Sequence, residues 1–211
     1  MPPRSVLYTV ATIVIGVVLA YGAVRGHLPR TTSEWLSPIG PAVTFAGVIL
    51  WLFDRWVWRW PGARRLHSRP VLHGTWHGTL ASEYIDPETN QQVPADPNVF
   101  LVVRQRFWHV AVRLLTKESA SLSMVATFRA DVDDVQELIS VYTNKPKGEV
   151  RDRSVIHLGA LILGAPRDTR PGFAGEYFTD RMTRGSLTFR RHLGGPVETH
   201  AEAMRSCEAL E

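Results

Sequence analysis

The residues in this chain best suited to chemistry are polar side chains set among alternating apolar ones. Tyr142 and Asn144 stand two apart, and so do Tyr177, Thr179 and Arg181. On an extended strand such residues share one face. Tyrosine stacks on a base and arginine pairs with phosphate, so the two stretches together describe one side of a ligand pocket. Gln105 lies on the inward face of another predicted strand with Leu101 and Val103, and Thr116 follows Leu114 on the inward face of the next. Across a two-residue turn Thr116 meets Ser119, which carries Ser121 and Ser123 inward and sends Leu122, Met124 and Phe128 outward. Either a bulge shifts the register there, or that outer face meets another subunit. Buried polar groups need partners. These hydroxyls and amides therefore either hold a ligand or bond to the protein's own turns, and pattern alone leaves both readings open.

Other chemistry is missing from the sequence. It has no Gly-x-Ser-x-Gly elbow, no phosphate loop and no cysteine cluster of metal-ligand spacing. His73 and His77 are four apart, but two histidines without further ligands do not make a metal site. Asp133-Asp134 reads as turn chemistry, in which aspartate satisfies its own backbone. Cys207 is the single cysteine, so no intrachain disulfide forms. The expectation is a binding protein, not an enzyme, with no cofactor and no metal.

The elements that must position the polar residues are strands. Eight are predicted, at about 74–82, 98–105, 107–116, 119–130, 134–143, 154–164, 172–180 and 184–192, mostly joined by short polar turns such as Lys117-Glu118. Longer breaks at 83–97 and 144–153 hold Pro87, Pro94, Pro97, Pro146 and Gly148. Many strands in series with short hairpins imply a compact eight-stranded antiparallel up-and-down β-barrel, or a sandwich, and such a barrel can hold one small ligand in its mouth. This all-β domain occupies 71–192, after a linker at 61–70 and before a tail at 193–211.

The first sixty residues differ in kind. Residues 5–24 and 35–53 carry no charge, and each run meets the length of roughly 20 residues needed to cross a bilayer. Two N-terminal transmembrane α-helices are expected over 1–60, with Trp51, Trp56, Trp58 and Trp60 marking a headgroup belt. Gly16/Ala20 and Ala42/Ala46 have the four-residue spacing that lets helices approach closely. Residues 1–70 hold eight arginines against Glu34 and Asp54, a net of +6, while the rest holds 16 basic and 18 acidic residues, a net of −2. The basic character thus belongs to the N-terminal module, and the folded domain has no basic excess for a DNA or RNA polymer. Six arginines flank the outer ends of the two runs and two lie between them, which places both termini and the barrel on the cytoplasmic side of the membrane.

The order of motifs resembles a known family. Two short apolar runs precede Leu72-x-Gly74-x-Trp76-x-Gly78, Tyr142-x-Asn144-x-Pro146, His157-x-Gly159 and Tyr177-x-Thr179-Asp180-Arg181-x-Thr183-Arg184-Gly185. This resembles the SMODS-associated two-transmembrane, β-strand-rich effectors of CBASS, the bacterial cyclic-oligonucleotide antiphage system, over about residues 5–192. The resemblance implies that a partner nucleotidyltransferase makes a cyclic dinucleotide on infection and that the barrel binds it. It further implies that the chain oligomerises on activation and that its helices disrupt the lipid bilayer of the bacterial inner membrane in which they sit, causing abortive infection. Arg181 and Arg184 match the family motif and are expected at the phosphates, although Arg184 can instead brace its hairpin through Asp180. The competing expectation is a membrane-tethered barrel that carries or senses a lipid or other small molecule.

Overall fold

A computed structural model describes residues 4–25, 31–65, 67–86, 90–130, 136–152, 154–166 and 172–210. The expected Asp133-Asp134 turn lies outside them. The chain divides into two compact units, residues 1–60 and 61–211.

The first unit is a pair of helices, α1 (Arg4–Arg25) and α2 (Thr32–Arg55), followed by a short 3-10 turn at Val57–Arg59. The helices pack on each other, with Val18, Ala42 and Ala46 buried. Of the two small-residue pairs, only Ala42/Ala46 is buried; Gly16 and Ala20 are exposed. The expectation of two transmembrane helices is corrected here: among the described residues, no helix is long and apolar enough to cross a membrane. Polar and helix-breaking residues are the reason. Ser5, Thr9 and Thr12 in α1, and Ser33, Glu34, Ser37, Pro38, Pro41 and Thr44 in α2, confine the uninterrupted apolar stretches to 13–24 and 45–53. The hydrocarbon core takes roughly 20. Ile15, Leu19, Val43, Phe45, Val48 and Trp51 are exposed, so the surface is apolar and only its unbroken extent falls short. The expected inner-membrane location, with both termini and the barrel cytoplasmic, is corrected with the spans.

The second unit holds ten strands: β1 (Gly74–Ser82), β2 (Ile85–Asp86), β3 (Gln91–Gln92), β4 (Asp96–Gln105), β5 (Val110–Leu115), β6 (Ser119–Ala130), β7 (Gln136–Pro146), β8 (His157–Gly164), β9 (Phe173–Thr179) and β10 (Arg184–His192). Eight of them close into an antiparallel barrel in the order β1-β10-β9-β8-β7-β6-β5-β4, and β2 pairs with β3 in a small separate hairpin. The eight-stranded up-and-down barrel read from the alternation is therefore the fold of this unit; what was missed is the β2–β3 hairpin inside the 83–97 break.

The barrel interior has two storeys. Its closed end is apolar: Trp76, Leu101, Val103, Val112, Leu138, Leu161, Leu163, Phe173, Leu187 and Phe189 form one buried cluster, with Phe128 packed against it. Gln105 is 2% exposed and seals this end. Its Oε1 accepts the Leu72 N–H at 2.9 Å and its Nε2 donates to Pro70 O at 2.8 Å. Two backbone groups of the entering segment that would otherwise be buried without partners are thereby satisfied.

Outside the barrel, α3 (His200–Glu208) packs over Phe100 and Val102 through Ala203 and Cys207, together with Val197 of the segment before it. Thr199 caps it by accepting the Glu202 N–H at 3.2 Å. Arg104 and Arg113 both pair with Glu198 just before it. The tail is thus a strap over the outer face of β4, which explains why β4 is apolar on both faces.

Candidate functional site

The other storey of the interior opens at the end where β1, β5, β7 and β9 finish. A cavity of about 150 Å³ there is lined by Leu80, Leu114, Thr116, Ser119, Ser121, Tyr142, Asn144, His157, Tyr177, Thr179 and Thr183. Six of the eight barrel strands or their turns contribute, so the site exists only once the barrel has closed.

Strand β6 shows how the sequence builds it. Thr116 N–H donates to Ser119 O at 2.9 Å, which fixes the hairpin. Ser121 then pairs with Leu114, and Ser121 Oγ accepts the Leu114 N–H at 3.2 Å. Ser123 Oγ accepts the Val112 N–H at 2.9 Å. Below Ser123 the register against β7 shifts, so that Ser123 pairs with Tyr142 and Val125 with Val141, leaving Met124 as the extra residue. The bulge reverses the facing. Leu122 and Met124 stay outside, with Met124 65% exposed, while Ala126 and Phe128 turn in to the apolar storey. The outward position expected for Phe128 is corrected by this bulge.

Two glycines make room for the two tyrosines. Gly159 pairs with Tyr142 across β7–β8, and a Cβ at Gly159 would lie 2.5 Å from Tyr142 Cζ. Gly185 pairs with Tyr177 across β9–β10, and a Cβ there would lie 2.8 Å from Tyr177 Cε1. Each ring therefore lies against the bare backbone of the neighbouring strand. Burial pushes the Tyr142 phenol up to about 12, with Tyr177 and Asp180 adding to it. Burial also raises Tyr177, partly offset by a hydrogen bond with Ser82. Both rings stay neutral at ordinary pH.

The turn hydroxyls are partly self-satisfied. Thr116 and Ser119 hydroxyls lie 3.1 Å apart, Thr179 and Thr183 hydroxyls 2.7 Å apart. Among the described residues, the Tyr142 hydroxyl and the Asn144 amide have no hydrogen-bonding partner. One step below Tyr142, Ser140 Oγ is buried without a partner as well. Both readings of the polar interior thus hold for different residues: the turns use some of these groups, and Tyr142 and Asn144 remain open toward a ligand.

Of the site residues expected from sequence, the structure brings together Tyr142, Asn144, Tyr177, Thr179 and Thr116. Gln105 lies at the opposite, closed end. Arg181 sits at the rim, its guanidinium donating to Ser154 Oγ at 3.0 Å. Arg184 points outward and pairs with Glu83 at 2.5 Å, not with Asp180. Asp180 instead accepts the Leu158 N–H at 3.1 Å. Ser119 and Ser121, which the sequence carries inward with Thr116, line the cavity too, whereas sequence reasoning missed His157 and Thr183 as lining residues. The signal for His157 was the β7–β8 register, which sets it opposite Asn144. His73 and His77 do not converge: His73 Nδ1 accepts the Gln105 N–H, and His77 stacks on Phe100 outside the barrel. Among the described residues no three His, Cys, Asp or Glu side chains gather as a metal site.

Comparison with known proteins bears directly on this barrel. The sequence model of the family described as Cap15, cyclic dinucleotide receptor domain, matches residues 67–191. A CD-NTase-associated protein 15 of Staphylococcus schleiferi is 25% identical over 164 residues, covering 74% of this chain and 80% of the relative. Another, from Yersinia aleksiciae, is 26% identical over 171 residues, covering 80% of this chain and 76% of the relative.

Proposed function

As the chain belongs to the family of the Cap15 cyclic dinucleotide receptor domain, we propose that its barrel is the sensor of a CBASS antiphage effector and binds a cyclic dinucleotide at the open end. The observation that carries this reading is the cavity between Tyr142 and Tyr177. It is polar, it is walled by two aromatic faces, and it keeps an amide and a phenol free of protein partners. Tyrosine faces accept nucleobases regardless of sequence, and a free amide and phenol read base or phosphate edges. A carrier of lipid would line the same space with apolar side chains. The family and its CD-NTase-associated relatives support a partner nucleotidyltransferase as the source of the ligand. The barrel acts as a receptor and releases the nucleotide unchanged.

Ligand drives self-association in this reading. The cavity of about 150 Å³ is smaller than the roughly 300–1,000 Å³ of pockets that enclose drug-sized ligands. One base or one phosphodiester enters, and the remainder stays at the mouth. The rim there is apolar: Tyr84, Ile85, Val93, Val155, Ile156 and Met182 are exposed, Met182 at 97%. A second copy closing over the mouth would cover that rim and the protruding part of the ligand. Such an assembly is favoured by ligand only if it binds the ligand better than one copy does.

The test is thermal melting of the full-length chain against a panel of cyclic di- and trinucleotides, with sedimentation of the same samples. A ligand at about 100 times its Kd adds about 2.7 kcal/mol, a rise of roughly 5–10 °C for a domain of this size. A rise with one cyclic dinucleotide, accompanied by a larger sedimenting species, is the expected result. No rise with any member of the panel overturns the receptor reading. A rise without any change in sedimentation overturns the self-association. Chromatography of the recovered nucleotide checks that it is released intact.

A further inference from the structure

Resting on the receptor reading, we propose that His157 is the group that meets the negative charge of the ligand, and that the ligand binds together with a proton taken up on His157 Nε2. The premise is an unexpected neutrality. None of the described residues lining the cavity carries a fixed charge. The two arginines that the motif would send to phosphate are engaged elsewhere, Arg184 with Glu83 and Arg181 with Ser154. A phosphodiester leaving water for a neutral cavity needs a compensating charge or several strong donors.

His157 is built to supply one. Its Nδ1 lies 2.9 Å from Val155 O. A carbonyl only accepts, so Nδ1 carries the hydrogen. In the neutral ring the second nitrogen, Nε2, then presents a lone pair, which repels a phosphate oxygen. Protonation at Nε2 turns the same atom into a charged donor without moving the ring. Asn144, directly across β7–β8, offers its amide N–H to the same anion.

The surroundings leave that role to His157. On β7 stand Tyr142 and Lys145, on β9 Tyr177, on the β9–β10 turn Asp180 and Arg181, and on the β5–β6 turn Lys117 and Glu118. Burial keeps both tyrosines neutral. The Asp180 carboxylate is taken by the Leu158 N–H, and Lys145 is an outward position of its strand. Among the described lining residues, His157 is the one side chain that can take up a proton and become a cation.

Calorimetry on the full-length chain tests this, using 3′,5′-linked cyclic dinucleotides of every pairing of A, G and U, at about pH 6, 7 and 8. Buffers of different ionisation enthalpy read the protons taken up on binding. The wild-type protein should take up protons at pH 7, and its Kd should weaken roughly tenfold between pH 7 and 8, the limit for one coupled proton. His157→Gln, which keeps a donor but cannot titrate, should bind more weakly at pH 6 and show a flat pH profile. The wild-type profile and the proton count need no variant, so a poorly folded His157→Gln does not blunt the test. Binding with no proton uptake overturns the proposal while the receptor reading stands, and points to a base donating to a neutral Nε2. Unchanged pH dependence in His157→Gln overturns it equally. No binding of any cyclic dinucleotide at any pH removes the receptor reading and this proposal together.

Discussion

Replacing Gly159 with alanine probes how the pocket wall is made. A Cβ at Gly159 would lie 2.5 Å from both Cζ and Oη of Tyr142 and 2.7 Å from Cε2. Carbon atoms rest at about 3.5–4.0 Å, so the ring must move by about 1 Å, and the direction open to it is the cavity. Overpacking of this kind costs about 1–3 kcal/mol. Against that, alanine in a strand is about 0.5–1 kcal/mol better than glycine, because less chain entropy is lost. The net expectation is a loss of about 1–2 kcal/mol.

The reasoning is sharpest in a cycle with Tyr142→Ala. Without the ring nothing opposes the new methyl, so Gly159→Ala should then stabilise by about 0.5–1 kcal/mol. The effect of one substitution changes sign with the background, a coupling of about 1–3 kcal/mol. Urea unfolding of the full-length proteins, read as midpoints at constant slope, measures it. If Gly159→Ala costs the same with and without the tyrosine ring, the glycine is not a shelf for Tyr142 and the account of the wall fails. Gly159→Ala should also lose most of the ligand-induced rise in melting temperature, since the displaced ring occupies the ligand's space.

Gln105→Ala should cost about 2–5 kcal/mol in urea unfolding, because Leu72 N–H and Pro70 O lose their buried partner and a void opens. Ligand Kd, measured where the variant is folded, should be unchanged. Glu83→Gln should shift stability by less than about 1 kcal/mol, since its pair with Arg184 is exposed and screened; a larger loss would show that the pair holds the β1–β10 seam. Tyr142→Phe should flatten the alkaline limb of the stability profile. The folded phenol is held up to about 12 by burial, above the unfolded value near 10. Its contribution is complete below about pH 10 and is lost as pH rises through about 12, an order of 2–3 kcal/mol. Identical urea midpoints for Tyr142→Phe and wild type across that range would contradict the burial of the hydroxyl.

The strands were legible because alternation is local and strict, and the turns are short. The phase of β6 was half legible: the serines at 119, 121 and 123 contradict the aliphatics at 122 and 124 unless something gives way, but only pairing with β7 shows that Met124 is the residue left out. Tyr142, Asn144 and Tyr177 were readable as a face because inward strand positions two apart stay together. The arginines were not, because Arg181 and Arg184 lie at a turn, where period two ends and the Glu83 carboxylate decides the direction. Gln105 had the right face and the wrong end of the barrel. Facing follows from sequence parity, whereas depth follows from register around the closed sheet. In the helical pair, freedom from charge is not unbroken apolarity, because Thr12, Ser37, Pro41 and Thr44 interrupt the two runs.

Depth is also what lets one small barrel serve as both core and receptor. An eight-stranded barrel has an interior just large enough to be filled by side chains. Filling it throughout with leucine and phenylalanine would maximise stability and leave no site. Here the apolar side chains are concentrated at the closed end, where Trp76, Phe173 and Phe189 pack ring against ring. The open end receives short hydroxyls and two tyrosines laid on glycines. The bulge at Met124 makes this division possible within a single continuous strand. Above it β6 contributes Ser119, Ser121 and Ser123, and below it Ala126 and Phe128. Moving that bulge two residues toward Ser119 would exchange Ser123 for Met124 at one level of the interior. Deleting Met124 would remove the bulge and leave Val125, Ala126 and Phe128 in their present register with Val141, Ser140 and Leu138 of β7. Stability is therefore set mainly below the bulge and affinity mainly above it, so substitutions in the two storeys should separate in unfolding and binding measurements.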